Sequence, residues 1–398
     1  MRSAFPFEVV HRRRTHLVCQ LLIFWGWVPV MNDFRPFPSR ELSPTIARMG
    51  PRPLRATRGE YANATCHHRW GADSAPWILL MLTAPRSGSS YLMSLLGESP
   101  EVLPLFELFN DLAHLNIYSS ELRDVAIRHL HAEFGTHSDF GLRAAMAADP
   151  LHAVSAARRL AALQGKRWLA FKIFDWQLTG AFATPTLIGA LRVLAGDPKV
   201  IVLRLRRSFF HRLASGTKGL VCGREAASWL RYNSTACQPR IAMPWLSRAV
   251  ETEVLGRSLL RRALDGTPPF SSRPLSISVR YEELLPLQPQ RQVNLVRERL
   301  WRVSGTTPCA YRLTGRTTRR YLRQDSNAHL SGKITNYAEV RSAAHRLLRR
   351  CGSILTAGGR PGEAAPAELR GYCESTLREL VVGEEPAWRT ERATARSS

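Results

Sequence analysis

The segment Thr83–Leu92 (TAPRSGSSYL) carries residue types that bind an anion. It follows an apolar run, and its glycine, Gly88, stands among serines, so the pattern predicts a compact loop that opens a helix. Backbone N–H groups at a helix start converge on an anion, and the helix dipole adds to the attraction. Arg86 supplies a bidentate cation. Three hydroxyl donors accompany it: Ser87, Ser89 and Ser90. A serine-rich turn that merely caps a helix is the alternative interpretation.

The order of apolar segments predicts the elements that must position this loop. Four apolar runs are typical of buried strands: Trp77–Leu82, Trp168–Phe174, Val200–Leu205 and Ser276–Arg280. Long helical segments lie between them, such as Ser119–Phe134 and Leu151–Leu163. Strands that alternate with helices predict an α/β domain with a mainly parallel sheet.

The motif Pro85–Leu92 (PRSGSSYL) resembles the 5′-phosphosulfate loop of sulfotransferases that use 3′-phosphoadenosine 5′-phosphosulfate (PAPS). An arginine followed by Ser-Gly-Ser-Ser is most similar to the Golgi carbohydrate sulfotransferases. The segment Glu98–Phe109 is similar to a family segment that ends in an aromatic residue, Glu and Pro, although Leu108 stands where the family usually has Pro. The resemblance implies a P-loop-NTPase-like domain with three layers around a mainly parallel sheet. It implies that PAPS is bound by Arg86, Ser87, Gly88, Ser89, Ser90 and Tyr91.

A second part of the resemblance follows the third predicted strand, where Ser215 comes eight residues after Arg207. Sulfotransferases place an arginine at the end of such a strand and a serine on the next helix, and both bind the 3′-phosphate that distinguishes PAPS from ATP. An arginine fork and a hydroxyl about two helical turns apart are suited to one phosphate. The segment Val279–Leu284 (VRYEEL) is similar to the family's RYEDL segment at a strand end. The resemblance therefore assigns Arg207 and Ser215 to the cofactor.

Sulfuryl transfer needs a base for the acceptor proton and cations for the charge on the sulfuryl group. We expect Glu107 to be the base, because it matches the glutamate of the family segment and its apolar neighbours predict burial. An exposed or helix-capping glutamate is the alternative. Arg86 and the loop N–H groups supply the electrostatic stabilisation. The cytosolic small-molecule branch of the family uses a histidine base, which makes three nearby residues further candidates: His114, His129 and His131.

Lys172 lies inside the apolar run Trp168–Phe174, where a charged side chain is costly unless its charge has a use. We expect it at the active-site mouth, near the acceptor or the sulfonate, with a snorkelling or strand-edge lysine as the alternative. Trp176 and Gln177 are candidates for the wall of an acceptor groove, and burial in the core is the alternative for Trp176. The segment 333–337 (KITNY) resembles a late family segment near the adenosine side of the cofactor. Since PAPS carries its own leaving group, the expected cofactor set contains no metal.

The N-terminal residues differ in composition from the rest. Residues 1–14 end in the basic cluster Arg12–Arg14, and residues 15–31 are apolar, an order typical of a short cytosolic tail and a signal-anchor with a lumenal catalytic domain. A cleaved signal or organelle-targeting peptide and a buried segment of the fold remain alternatives. Residues 32–74 have the composition of a stem or linker, residues 75–355 form the predicted sulfotransferase domain, and residues 356–398 form a linker and C-terminal tail.

Two sequons, at Asn63 and Asn233, and an even six cysteines after Cys19 favour a Golgi or other secretory-pathway membrane. Cys222 and Cys237 flank the second sequon at a spacing compatible with a disulfide, although sequence does not fix the pairing. The chain has no C-x-x-C pair, which argues against a zinc site.

The chain has 398 residues, a net charge of +24 and an apolar fraction of 44%. This composition excludes a mostly disordered chain. Because nearly all the basic residues are arginine, we discount the charge as evidence for a polyanion partner and expect no nucleic acid. The leading function is a PAPS-dependent sulfotransferase acting on a glycan, glycolipid or small alcohol. A non-catalytic binder of heparin-like or nucleic-acid polyanions is one alternative. A small-molecule P-loop kinase is another, disfavoured because the loop lacks the Walker A lysine.

Overall fold

The structure is a computed structural model that describes residues 75–110, 112–116, 119–178, 185–221, 238–247, 249, 250, 253, 275–315 and 334–349. The predicted tail, signal-anchor, stem and C-terminal segments lie outside these residues, as do both sequons, Lys333 and every cysteine except Cys309. None of the helices in the described ranges has the length and apolar character needed to cross a membrane.

The described residues form five strands: β1 (Trp77–Thr83), β2 (Val102–Pro104), β3 (Trp168–Phe174), β4 (Val200–Arg206) and β5 (Leu275–Arg280). The longer helices are α1 (Ser89–Gly97), α2 (Ser120–Phe134), α3 (Asp139–Ala148), α4 (Pro150–Leu163), α5 (Pro185–Gly196), α6 (Phe209–Val221), α7 (Tyr281–Leu284), α8 (Pro289–Ser304) and α9 (Tyr337–Arg349). Two 3₁₀ turns cover Leu112–His114 and Asp175–Leu178.

The five strands form one parallel sheet in the order β2-β3-β1-β4-β5. The central strand β1 ends at Thr83, opposite Phe174 of β3 and Leu205 of β4. The carboxyl ends of parallel strands meet at one edge of the sheet, where ligands bind in open α/β sheets. The loop after β1 therefore lies beside the residues that follow β3 and β4. The predicted α/β fold with a mainly parallel central sheet is confirmed.

Helices cover both faces of the sheet, which gives the predicted three layers. On one face, Ile78, Leu80 and Leu82 of β1 belong to a core that includes residues of α2, α3, α4 and α5. On the other face, Leu79 and Met81 belong to a second core with residues of α1 and α8. Strands that are buried on both faces read as continuous apolar runs, which explains why they were visible in the sequence.

The four predicted strands are present with bounds that differ by at most one residue. The helix predicted from Ser119 begins at Ser120, because Ser119 is its N-cap and the hydroxyl of Ser119 accepts the N–H of Leu122 at 3.1 Å. The helix predicted from Leu151 begins at Pro150, a residue suited to the first turn, and the Asp149 side chain caps it. The short edge strand β2 was not predicted.

Candidate functional site

The loop between β1 and α1 turns sharply through two left-handed residues. Arg86 has φ of 63°, and Gly88, the N-cap of α1, has φ of 84°. Residues that carry a side chain rarely adopt this backbone conformation, whereas glycine adopts it readily. The turn brings the backbone N–H groups at the start of α1 to the carboxyl edge of the sheet, which is the arrangement that an anion needs.

Tyr281, the first residue of α7, packs against this loop. A Cβ atom added at Gly88 would lie 2.3 Å from Cε2 of Tyr281, so no larger residue fits there without a shift. The same ring lies under Arg207, whose Cζ is 4.6 Å from the ring centroid. Tyr281 therefore separates the loop glycine from the arginine after β4. The resemblance described above includes the segment that contains Tyr281, but it assigns no role to this residue.

The serines of the loop have different surroundings. Ser87 is fully buried, and its hydroxyl hydrogen-bonds the hydroxyl of Thr83, which also donates to the carbonyl of Leu205 at 3.2 Å. The Thr83 side chain therefore joins the ends of β1 and β4, and Ser87 joins the loop to Thr83. Ser90 instead accepts a hydrogen bond from Lys172 at 2.7 Å. Ser89 is buried at the first helical position of α1.

Tyr91 lies on α1 and packs against a small core formed by Leu95, Val293 and Tyr311. Burial raises the pKa of Tyr91 to about 12, and the nearby Tyr281 and Glu98 add to the shift. The phenol is therefore neutral at physiological pH.

Arg86, Arg207 and Ser215 form one cluster, which we call the arginine cluster. The Arg86 guanidinium donates to the Ser215 hydroxyl from Nε at 3.3 Å and from Nη2 at 3.2 Å. Nη1 of Arg207 donates to the backbone carbonyl of Arg86 at 2.7 Å. The two halves of the sequence motif, predicted from segments far apart in the chain, thus meet at one place.

The arginine cluster attracts an anion. Burial and, to a smaller extent, the charge of Arg207 together lower the pKa of Arg86 to about 10. Two like charges held together repel each other, and an anion between them relieves that repulsion. The donor set of two guanidinium groups, a serine hydroxyl and a helix N-terminus fits a phosphate group.

Two carboxylates hold the segment that carries Arg207. Oε1 of Glu282 accepts the N–H of Ser208, the residue before α6, at 3.0 Å. Arg212 on α6 forms a buried ion pair with Glu253 and donates from Nε to the carbonyl of Arg207 at 3.4 Å. The first contact joins the start of α6 to α7, and the second holds α6 against the end of β4. Neither carboxylate was recognised from the sequence.

Lys172 joins the anion loop to Glu107. Its side chain is only 1% exposed, and Nζ lies 2.8 Å from Oε1 of Glu107 and 2.7 Å from Oγ of Ser90. The ammonium also lies 4.8 Å from the centroid of the Phe174 ring. Burial lowers the pKa of Lys172, and the Glu107 carboxylate opposes that shift. Three residues predicted from separate segments therefore contact one another, and the snorkelling alternative for Lys172 does not hold.

Glu107 lies in the turn after β2, with its side chain 15% exposed. Oε2 accepts a hydrogen bond from Nδ2 of Asn110 at 2.5 Å and lies 3.7 Å from Nδ1 of His114. This carboxylate is only partly buried, and its nearest partners are polar, because the chain turns back at Asn110 and Lys172 extends from β3. Asn110 was not predicted, although asparagine is a common turn residue.

The three candidate histidines have different surroundings. His114 is the one that contacts Glu107, and its side chain is 50% exposed. His129 and His131 lie on α2 and are nearly buried: Nε2 of His129 is 3.0 Å from the carbonyl of Ala156, and Nδ1 of His131 is 3.0 Å from the hydroxyl of Thr136. Both α2 histidines therefore have contacts that stabilise the packing of that helix.

The remaining candidates support the walls of the site. Gln177 is buried; its carbonyl oxygen accepts the N–H of Phe174, and its Nε2 donates to the carbonyl of Phe109, both at 2.8 Å. Gln177 thus ties the end of β3 to the turn that carries Glu107. Trp176 lies in the same 3₁₀ turn, but its side chain lies outside what the structure describes. In the segment 333–337, Asn336 exchanges hydrogen bonds of 3.0 Å with the backbone of Ile241.

Across the part of the chain that the structure describes, no group of three or more His, Cys, Asp or Glu side chains is arranged to hold a metal ion. Cys309 is disulfide-bonded, and all other cysteines of the chain lie outside the described ranges.

No protein-family model matches the chain, and no curated protein matches its sequence. Among solved structures, the chain is similar to the sulfotransferase domain from the Synechococcus PCC 7002 olefin synthase. The sequence identity is 15%, the match covers 77% of this chain and 98% of that chain, and the TM-score is 0.31.

Proposed function

We propose that this protein transfers a sulfuryl group from PAPS to a hydroxyl acceptor. The observation that carries the proposal is the position of Lys172, whose ammonium contacts both Ser90 of the anion loop and Glu107. An anion-binding loop and a carboxylate base are therefore parts of one site, at the distance that a single lysine side chain can bridge. Group transfer to a hydroxyl needs this combination of an anion site and a base.

The residues present fit a nucleotide that carries anionic groups at two positions. We assign the loop N–H groups, Ser90 and Lys172 to the phosphosulfate. We assign Arg207 and Ser215 to the 3′-phosphate, and Arg86 lies between the two assignments because its guanidinium contacts Ser215 while its backbone belongs to the loop. The Tyr281 ring, which contacts both Gly88 and Arg207, would fix the spacing of the two anion positions.

PAPS supplies the sulfuryl group together with its own leaving group. Glu107 takes the proton of the acceptor hydroxyl, since Oε1 and Oε2 are held by Lys172 and Asn110 in a fixed orientation. Lys172 places a positive charge beside the loop, where the sulfuryl group is transferred. Because its side chain is almost completely buried, this charge acts in a medium of lower dielectric constant than water, where it stabilises nearby negative charge more strongly.

The acceptor class belongs to the same proposal. We place the hydroxyl on a carbohydrate or glycolipid, because the sequence of the anion loop is most similar to that of carbohydrate sulfotransferases. A lumenal location in the secretory pathway accompanies this acceptor class. It is supported by the disulfide of Cys309, since disulfides persist in oxidising compartments, and by the two sequons.

The activity is tested with radiolabelled PAPS and four acceptors: para-nitrophenyl N-acetylglucosaminide, galactosylceramide, chondroitin and octanol. We expect label in at least one acceptor with the wild-type chain, in the presence of EDTA, and at least about 10²-fold slower labelling with Glu107→Gln. Label transfer from γ-labelled ATP in the presence of Mg²⁺, without transfer from PAPS, would replace the proposal by a kinase. Binding of chondroitin with a steep salt dependence and no transfer would replace it by a non-catalytic polyanion binder.

The location is tested separately on protein made in its native host. We expect glycosidase treatment to increase its gel mobility and Asn233→Gln to remove part of that change. Recovery of the full-length chain without glycan and with all its cysteines reduced would contradict a lumenal location.

A further inference from the structure

We propose that His114 carries the acceptor's proton from Glu107 to the solvent after each transfer. This inference rests on the function proposed above, because Glu107 receives a proton only if it is the base. His114 then acts through Glu107 and does not contact the acceptor.

The need for such a step follows from the balance of the reaction. The O–H bond of the acceptor breaks, a bond forms between that oxygen and sulfur, and the bond between sulfur and the leaving phosphate oxygen breaks. The electron pair of this last bond leaves with the nucleotide, and the proton remains on Glu107. Glu107 must lose this proton before it can act as a base again, but its side chain is only 15% exposed.

Of the three polar side chains described in contact with Glu107, His114 is the one suited to take the proton. Lys172 is already a cation when it pairs with Oε1, and its side chain is only 1% exposed. Asn110 contacts Oε2 through its amide nitrogen, which is a donor and not a base. His114 has a ring nitrogen 3.7 Å from Oε2, and half of its side chain is exposed to solvent.

The position of His114 is set by the fold. His114 is the last residue of the 3₁₀ turn Leu112–His114. Leu112 is buried in the main core, and the carbonyl of Leu112 accepts the N–H of Leu115 at 3.1 Å. A separation of 3.7 Å is longer than a hydrogen bond, and a small side-chain rotation or one bridging water spans it. A neutral imidazole has one ring nitrogen that accepts a proton, so Nδ1 of His114 can take the proton that Glu107 holds. The imidazolium then releases a proton to water and returns to the neutral form.

The test compares one turnover with many turnovers in the full-length chain. The probe is labelled PAPS with whichever of the four acceptors above turns over fastest, in a bulky buffer at low concentration. For His114→Ala and His114→Gln we expect the single-turnover rate to stay within about twofold of wild type, because a single turnover does not require Glu107 to lose the proton that it has taken. The steady-state rate should fall about tenfold, a modest effect for loss of a proton-transfer group. Added imidazole should restore the steady-state rate of His114→Ala.

His137→Ala is the matched control, since His137 is exposed and lies outside the site. It should leave both rates unchanged. An equal fall of the single-turnover and steady-state rates in both His114 variants, without rescue by imidazole, would overturn the relay and assign His114 a structural role. An unchanged steady-state rate would overturn it as well. If wild type shows no transfer to any of the four acceptors, the proposed function itself fails, an outcome distinct from failure of the relay.

Discussion

The Arg86 guanidinium contacts the Ser215 hydroxyl through two of its nitrogen atoms, at 3.3 and 3.2 Å, although the two residues are 129 positions apart in the chain. Arg86 belongs to the loop after β1, whereas Ser215 lies on α6, two turns beyond the end of β4. The loop arginine therefore reaches the part of the site that the resemblance assigns to the 3′-phosphate. We expect the two predicted anion positions to be coupled through this side chain.

Arg207→Ala should reduce the affinity for 3′-phosphoadenosine 5′-phosphate at least about tenfold, because it removes a charge-assisted contact worth about 1.5–3 kcal/mol. Arg86→Ala should cause a loss of similar size. Calorimetric titration measures both, and Arg302→Ala, an exposed arginine on α8, is the control. Adenosine 5′-phosphosulfate, which lacks the 3′-phosphate, should be affected much less by Arg207→Ala. An equal loss with both ligands would contradict the assignment of Arg207.

Glu107→Gln should lower kcat by about 10²–10⁴-fold, because the amide keeps the shape of the side chain but cannot take a proton. The affinity for 3′-phosphoadenosine 5′-phosphate should stay near that of wild type, since Glu107 is assigned to the acceptor side. Steady-state kinetics and titration of the same preparation separate the two effects. Glu121→Gln, an exposed position in the first turn of α2, should change neither quantity. If Glu107→Gln keeps more than about a tenth of the activity, the base is another residue.

As the pH is raised, activity should decrease once Lys172 loses its proton. This decrease should begin at a lower pH than the pKa of an exposed lysine would give, because burial lowers the pKa of Lys172. Once the ammonium loses its proton, the pairing with Glu107 and the charge beside the loop are both lost. Between the lowered pKa and that of the unfolded chain, the unfolded state binds more protons, so the contribution of Lys172 to the free energy of unfolding rises with pH. Loss of kcat/KM without loss of stability in this range therefore identifies titration at the site.

Lys172→Met tests the same point without titration. We expect low activity at every pH and no alkaline decrease in kcat/KM attributable to this position. Lys199→Met is the matched control, because the Lys199 ammonium lies on the surface, 3.4 Å from the carbonyl of Ala75. A pH profile that is the same in wild type and Lys172→Met, at comparable rates, would show that Lys172 has no part in the reaction.

Gly88→Ala should destabilise the protein and weaken cofactor binding. The backbone at Gly88 has φ of 84°, and the added Cβ would lie 2.3 Å from the Tyr281 ring. The left-handed backbone alone costs about 1–3 kcal/mol, and displacement of Tyr281 would also move Arg207. Urea unfolding measures the first effect and calorimetry the second. Gly189→Ala on α5, where a Cβ meets nothing within 4 Å, should leave binding unchanged and stability unchanged or slightly higher.

Much of the fold could be predicted because the central strands β1, β3 and β4 are buried on both faces over most of their length. Continuous apolar runs such as Trp77–Thr83 and Trp168–Phe174 have no polar face that would obscure them. The strand β2 has only three residues, Val102–Pro104, and so is too short to show any periodicity. Its position beside β3 depends on pairing with residues that begin at Trp168, and this long-range pairing cannot be predicted from the sequence around β2.

The main residues of the candidate site were also visible in the sequence, but their contacts were not. A lysine within an apolar strand implies a counter-ion, and Glu107 in a second apolar segment was the available carboxylate, yet the pairing depends on β2 and β3 lying side by side. Tyr281 and Glu282 act through contacts with Gly88 and Ser208, which come from distant parts of the chain. The role of such residues can be predicted from the sequence only when the turn that they support is itself recognised.

The order of strands also bears on how this chain folds. The central strand β1, at residues 77–83, pairs with β3, which begins at residue 168, and with β4, which begins at residue 200. During synthesis one edge of this apolar strand therefore remains without its native partner until β3 has emerged, and the other edge until β4 has emerged. Unpaired apolar strands promote aggregation, and long-range parallel pairing is slow. Production of the intact protein should accordingly benefit from slow translation or from chaperones that shield the segment before β4 is complete.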